Sequence, residues 1–292
     1  MGSAIARCLV DAHYSVTVWN RSKDKAQEFL SQSADTSKVN IASSVLNAVQ
    51  SSTVIIICIR DYDASNALLR HPDIEPFLAN KTLIQLSTGT PVRAEEAASW
   101  ATRVNANYLD GEIMAFPNAI GSQNCPILYA GEAEVFESCK AVTSALGEPA
   151  QWIDTHTGAA AALGNAGLSV YFGFLFGVLN GAAICKAHGI PLAKLQALTS
   201  SLSPFLNDVL TRSIQMIDKD DYQSTHSTLE TSAGALAQIS EIVKNADLDE
   251  RFIKCLQDYA EEGIKDGKGS ISNAILFKTF CNNADTSNTP NE

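Results

Sequence analysis

The sequence predicts a doubly wound α/β domain followed by an all-helical domain. From Ala4 to about Leu146, short apolar runs alternate with amphipathic helical patterns, which is typical of a parallel sheet whose strands are joined by helices. After Asp154 the strand signals stop, and only helical patterns follow to about Cys281. The last residues are polar and aperiodic. We therefore predict an α/β domain over 1–155, a helical domain over 156–281 and a disordered tail over 282–292.

The elements of the first domain are predicted from periodicity and from the residues at their ends. Residues 15–19 form a strand pattern, and Ser22 is a suitable N-cap for a helix that runs to Leu30. Residues 53–59 are continuously apolar, as expected for a strand covered on both faces. Pro91 suits the first turn of a helix that runs to about Val104. The other strand candidates are 83–87, 108–109, 127–129 and 151–153.

Composition and charge exclude several classes of function. The 292 residues are 46% apolar and carry a net charge of −11, so the surface repels nucleic acids and anionic membranes. The seven cysteines are scattered and never spaced as CxxC, which favours reduced thiols over disulfides or zinc ligands. The histidines show no ligand spacing either, so we predict no metal site. We expect the protein in a reducing, cytosolic compartment, with neither nucleic acid nor membrane as a partner.

One segment is long and apolar enough to be compared with a membrane span. From Thr155 to Cys185 the chain contains no Asp, Glu, Lys or Arg. Gly173, Gly177 and Gly181 recur at every fourth position, so one helix face lacks side chains and permits close approach of another helix. The same pattern occurs in membrane dimers. Because the rest of the chain has the pattern of a soluble protein, we favour a helix buried in protein, between subunits.

The start of the chain matches the last third of a dinucleotide-binding motif. Gly2 and Ser3 suit the third glycine and the helix that follows it, so the first strand and the first two glycines would precede Met1. About twenty positions downstream, where NAD-binding domains carry an acidic residue, a strand ends at Asn20-Arg21-Ser22. A guanidinium and a hydroxyl there suit the 2′-phosphate of NADP, supported by Lys25. A solvated helix start would explain the same residues.

Four segments resemble the NADPH-dependent imine reductases and reductive aminases, which are relatives of the β-hydroxyacid dehydrogenases. These segments are Met1-Gly2, residues 19–22, residues 85–91 and residues 108–117, and the last of them is the most specific. The resemblance implies a Rossmann domain, a long interdomain helix and a helical domain that wraps around a second subunit, so that a homodimer forms each active site. It also implies NADPH as cofactor and an imine, or a carbonyl compound with an amine, as substrate. Glu112-Ile113-Met114 replaces the substrate-carboxylate motif of the dehydrogenases, which disfavours hydroxyacid substrates.

The resemblance places the proton-donating residue of the family at a glycine of this chain. The dehydrogenases have a Lys and many imine reductases an Asp six residues after the equivalent of Gly158, and that position is Gly164 here. We therefore consider the neighbouring Asn165 for orienting the substrate nitrogen and Tyr171 for donating a proton. The alternatives remain open: Asn165 as an amide bonded to its neighbours and Tyr171 as a core aromatic.

Three further residues are predicted beside the nicotinamide. Thr88 follows a sheet strand at the edge where ligands bind, and some reductive aminases carry Asn at that position. Cys58 and Ile59 end the preceding strand and flank the cofactor, or else are only core residues. The sequence leaves two hypotheses: a reductase of C=N bonds, or a catalytically silent or truncated relative that acts through its dimer fold. A β-hydroxyacid dehydrogenase-like enzyme is the further alternative.

Overall fold

The fold was obtained as a computed structural model, which describes residues 1–223 and 226–281. The tail predicted over 282–292 lies outside the described residues. The chain divides into two compact units, one from Met1 to Tyr171 and one from Phe172 onwards. The strands of the first unit end at Asp154, close to the predicted domain boundary.

The first unit alternates strands and helices, as the sequence predicts. Its strands are β1 Val16–Val18, β2 Val39–Ile41, β3 Val54–Ile57, β4 Thr82–Gln85, β5 Asn107–Ile113, β6 Ile127–Ala130 and β7 Ala150–Asp154. Its helices are α1 Gly2–Asp11, α2 Lys23–Ser31, α3 Val45–Gln50, α4 Tyr62–Leu69, α5 Pro91–Arg103, α6 Ala133–Ser138 and α7 Lys140–Leu146. Pro91 begins α5, as predicted, and the Thr90 hydroxyl caps that helix by accepting from the Arg93 N–H.

The strands form two sheets. β1 pairs with β2 in parallel, and β3, β4, β5, β6 and β7 form a second sheet in that order. The doubly wound α/β fold is confirmed, but β6 runs antiparallel to β5, so the second sheet is mixed. The connection from Met114 to Pro126 contains no α-helix of the kind that usually crosses over between parallel strands, and β6 returns antiparallel to β5.

The sheet is interrupted between β1 and β3. A cavity of about 830 Å³ lies there, lined by the apolar face of α1 and by both facing strands. The expectation that residues 53–59 are covered on both faces is therefore wrong. In β3 only Ile57 is buried, whereas Val54, Ile55 and Ile56 are half-buried because their strand borders the cavity. By contrast β4, which has a strand on each side, is buried throughout.

Two local features differ from the sequence predictions. Ser22 occupies the N-cap position of α2, as predicted. Its side chain makes no capping hydrogen bond, so the predicted capping interaction is wrong. Instead, the Asn20 side chain donates to the Ser22 carbonyl oxygen. Strand β2 was not predicted, because three residues with one buried side chain give too little pattern to recognise.

The second domain is helical, as predicted. Its helices are α8 Gly158–Ala187, α9 Leu192–Ser201, α10 Ser203–Asp218, α11 Leu229–Asn245, α12 Arg251–Lys265 and α13 Phe277–Cys281. Gly189, at a φ of 67°, forms the turn after α8 that only glycine adopts without strain. The α11 and α12 pair buries Leu229 and Ala260 against Ile275 in the core of this unit.

Helix α8 is exposed along most of its length within one chain. Its buried residues are confined to its first two turns, and Val170, Phe174 and Leu179 are each more than half exposed. By length and composition it is a candidate membrane span, with a mean hydropathy of 1.8 over its most apolar window. The predicted burial of this helix is therefore not achieved inside a single copy of the chain.

Candidate active site

The first turn of α1 and the ends of β1 and β3 line the same cavity. Gly2 and Ser3 lie at the amino end of α1, where no side chain caps the helix. A Cβ atom on Gly2 would lie 3.4 Å from the carbonyl oxygen of Cys58, so this helix end packs directly on the carboxyl end of β3. Backbone N–H groups at such a position suit a phosphate.

The residues predicted to bind the adenosine phosphate follow β1. Asn20 and Lys25 line the cavity, while Arg21 and Ser22 are exposed beside it. Within the described residues, Arg21 makes no ion pair with a carboxylate. A guanidinium that is not already paired keeps its donors for a phosphate ligand.

The predicted nicotinamide-side residues lie at the carboxyl ends of β3 and β4. Cys58 and Ile59 line the cavity, and burial raises the pKa of the Cys58 thiol, which therefore stays protonated and unreactive. The Ile59 N–H donates to the Ser87 hydroxyl at 3.1 Å, which ties the two strand ends together. Thr88 is exposed directly after that serine.

Gly89 is held from three sides. A Cβ atom there would lie 2.3 Å from the Tyr62 ring, so only glycine fits under this aromatic side chain. The Gly89 N–H donates to Oε1 of Glu112 at 3.4 Å, and its carbonyl oxygen accepts from Nδ2 of Asn165 at 2.9 Å. Asn165 Nδ2 also donates to the Ala161 carbonyl oxygen at 2.7 Å. Because carbonyls only accept, the amide nitrogen must face both, and Oδ1 is used in neither bond.

Two buried carboxyl groups lie on one face of β5, next to this glycine. Burial raises the pKa of Asp110 to about 7, although the Tyr62 hydroxyl and the Ala161 N–H lower it by donating to the carboxyl. Burial also raises the pKa of Glu112 to about 7, with Asp110 adding to the rise and the Gly89 N–H opposing it. Sequence reasoning missed both groups. The available signal was two acidic residues, two positions apart, inside a strand whose remaining residues are mostly apolar.

Comparisons with known proteins cover almost the whole chain. Residues 1–158 match the NAD binding domain of 6-phosphogluconate dehydrogenase, and residues 156–281 match the NADPH-dependent reductive aminase-like C-terminal domain. An NADPH-dependent reductive aminase of Aspergillus oryzae is 29% identical over 96% of this chain and 94% of its own. An imine reductase from Myxococcus stipitatus, solved in complex with NADP+, is 31% identical with a TM-score of 0.90, over 96% of both chains. A reductive aminase from Aspergillus terreus, solved with NADPH and ethyl levulinate, is 28% identical with a TM-score of 0.89, over 96% of this chain and 95% of that one.

The chain belongs to the imine reductase and reductive aminase family. The family resemblance predicted from the sequence is thus confirmed, and so is the arrangement of an α/β domain followed by a helical one. For an imine reductase relative, the residues around the cavity fit NADPH: first-turn N–H groups at Gly2 and Ser3 for phosphate, and an unpaired guanidinium at Arg21. Within the described residues no group of His, Cys, Asp and Glu side chains could hold a metal ion.

The two predicted catalytic residues of this imine reductase relative are not on one helix face. Asn165 and Tyr171 are six residues apart in α8, which places them about 120° apart around the helix and about 9 Å apart along it. Asn165 lies beside Gly89, whereas Tyr171 is 41% exposed at the end of the first unit. Within the first unit, the structure therefore gathers Thr88, Gly89 and Asn165, and Tyr171 lies apart from them.

Proposed function

We propose that this chain is an NADPH-dependent oxidoreductase that reduces C=N bonds. The observation that carries the proposal is the match over nearly the full length of both domains to an imine reductase solved with NADP+ and to a reductive aminase. The site supports it: the carboxyl end of β3, which lines the cavity, and that of the neighbouring strand β4 carry the side chains predicted to face a nicotinamide ring.

In this proposal the chain binds NADPH mainly through backbone amides and two cationic side chains. The first turn of α1 binds the pyrophosphate, and Arg21 with Ser22 and Lys25 binds the 2′-phosphate. A carboxylate in place of Arg21 would repel that phosphate, so the residue type itself favours NADPH over NADH. When bound, the nucleotide supplies a hydride to the substrate carbon.

Asn165 orients the substrate nitrogen. The nitrogen of a protonated imine carries an N–H that can only donate, and Oδ1 of Asn165 is an acceptor whose direction is set by the two bonds of Nδ2. An iminium is already electrophilic, so holding it in line for hydride transfer accounts for much of the rate. The amide of Asn165 is not an acid, so the proton that converts an imine to its protonated form comes from solution or from another group.

We also propose that the protein acts as a homodimer through α8. Cβ atoms at Gly173 and Gly177 would meet nothing within 4 Å inside one chain, and the aromatic side chains around them are exposed. A smooth glycine face flanked by apolar side chains suits a second helix at close range, and a second copy of α8 offers the same surface. The polar Asn165 and Asn180 on the same helix favour a protein partner over lipid.

The reaction is tested by following NADPH consumption with a panel of cyclic imines and with ketone and amine mixtures. We expect consumption with at least one C=N compound and slower consumption with NADH. Oxidation of hydroxyacids with NADP+ together with no turnover of any imine would identify a dehydrogenase-like enzyme. Tight NADPH binding with no turnover of either class would identify the catalytically silent alternative.

A further inference from the structure

Glu112 fills the space that a side chain at Gly164 would occupy. A Cβ atom built on Gly164 would lie 2.8 Å from Cγ, 2.9 Å from Cβ and 3.4 Å from the carboxyl carbon of Glu112. Real Cβ atoms do not approach other atoms so closely, and both residues are buried. A carboxyl group on β5 thus packs against the first turns of α8 because the helix carries no side chain there.

This carboxyl group is connected to Asn165 through a single residue. The Glu112 carboxyl group accepts a hydrogen bond from the N–H of Gly89, and the carbonyl oxygen of Gly89 accepts one from Nδ2 of Asn165. The Tyr62 ring covers the remaining side of Gly89. Any change in the bond from Gly89 to Glu112 therefore moves the one backbone segment that also positions Asn165 and the adjacent Thr88.

We propose that Glu112 is a positioning residue of the reductase, which in its ionised form holds the Gly89 backbone and through it the amide of Asn165. The inference rests on the proposed function for its catalytic consequence, but the contacts that carry it are independent of turnover. An ionised carboxylate accepts a backbone N–H about twice as strongly as a neutral group does, so protonation loosens the turn.

The charges that face Glu112 are few. Asp110, two residues earlier on β5, is the charged neighbour, and the Tyr62 hydroxyl on α4 donates to it. The strand paired with β5 places Leu128 opposite Glu112, and α8 presents Gly164. Burial raises the pKa of Glu112 to about 7, so the carboxyl group changes its protonation near neutral pH. Ionisation above that pH should tighten the turn, and protonation below it should release the turn.

The direct test is a measurement on the backbone amide of Gly89. Labelling threonine with ¹³C at the carbonyl and glycine with ¹⁵N selects Thr-Gly peptide bonds, and the sequence contains Thr88-Gly89 and Thr157-Gly158. In the wild-type protein we expect the Gly89 amide to titrate with a midpoint near pH 7. In Glu112→Gln this titration should disappear, while the response of Gly158 stays the same. Asp110→Asn should retain the Gly89 titration with a lower midpoint, because it removes a like charge.

The kinetic test separates positioning from a structural role. For Glu112→Gln we expect kcat for a cyclic imine to lose its dependence on pH near 7, with KM for NADPH unchanged. Glu134→Gln, which alters an exposed carboxylate on α6, should keep the wild-type profile. A Gly89 amide that does not titrate, or that titrates identically in Glu112→Gln, overturns the inference. So does an unchanged pH profile. If the wild type reduces no imine, the proposed function fails, and the amide titration still decides the role of Glu112.

Discussion

The side chain of Asn165 donates a hydrogen bond to the carbonyl oxygen of Gly89, 2.9 Å away and 76 residues earlier in the chain. This bond joins the start of the long helix α8 to the turn after β4. It fixes the direction of an exposed amide without help from burial, because the second bond to Ala161 removes the remaining rotation. An exposed polar group that is held in this way is ready to receive a ligand before the ligand arrives.

Removing this amide should reduce catalysis more than stability. For Asn165→Ala we expect kcat for a cyclic imine to fall by about 10- to 100-fold, since a positioned hydrogen-bond acceptor is lost. Asn165 is exposed, so the unfolding midpoint should change little. Asn124→Ala, which changes an exposed asparagine outside both the turn and α8, serves as the control and should leave kcat unchanged. Equal activity of Asn165→Ala and wild type would exclude a catalytic role for the amide.

The choice of nucleotide should depend on Arg21. For Arg21→Ala we expect the Kd of NADPH, measured by calorimetry, to rise by about 10- to 100-fold, because charge-assisted bonds to the 2′-phosphate are lost. The Kd of NADH should be nearly unaffected, since NADH lacks that phosphate. Arg103→Ala on α5 removes an equal charge from another exposed site and should change neither value. Equal weakening of both nucleotides would remove Arg21 from the phosphate site.

The buried carboxyl pair should make the protein less stable as the pH rises. The pKa values of Asp110 and Glu112 are raised to about 7 in the folded chain, whereas unfolded carboxyl groups have pKa values of about 4. Between these values the folded state binds more protons, so the free energy of unfolding falls by up to about 1.4 kcal/mol per pH unit per group and levels off above 7. Urea unfolding between pH 5 and 8, a range set by these pKa values, should show this fall. Asp110→Asn should flatten it, and a slope equal to that of the wild type would contradict the pKa values.

The shared space of Glu112 and Gly164 should appear as energetic coupling. Gly164→Asp alone should destabilise the fold by about 1–3 kcal/mol, because the new side chain overlaps Glu112. In the background of Glu112→Ala, Gly164→Asp should lower the free energy of unfolding much less, since the Glu112 side chain no longer fills the space. Urea unfolding of the two single variants and the double variant gives the coupling, expected at about 1 kcal/mol or more for residues in contact. Strict additivity would mean that the two side chains do not compete.

The glycine face of α8 should control assembly. Gly177→Val adds a branched side chain where the single chain offers open space, so the monomer fold should tolerate it. If two copies of α8 pack at this face, light scattering should show dissociation of the dimer. Gln238→Val adds the same side chain at an exposed position of α11 and should leave the mass unchanged. An intact dimer of Gly177→Val would exclude this face.

Local signals in the sequence predicted much of the fold. Pro91 marks the start of α5, and the apolar run of residues 53–59 marks β3, since both signals depend on neighbours in the chain. The antiparallel direction of β6 and the half-burial of Val54 depend on which strands lie next to each other, which periodicity does not reveal. The candidate site shows the same limit. Asn165 was selected by its position after Gly158, but its bond to Gly89 is a tertiary contact.

Helix α1 joins the two sheets that carry the ends of the proposed nucleotide site. Its residues Ile5 and Leu9 pack in the core of the five-stranded sheet, while Ala6 and Val10 pack with Phe29 and Val39 beside the two-stranded one. The alignment of the two sheets therefore depends on the same helix whose amino end offers its N–H groups to the phosphate. A change that loosens the packing of α1 should weaken the binding of the whole dinucleotide more than that of a fragment, such as adenosine 2′,5′-bisphosphate, that contacts only one sheet.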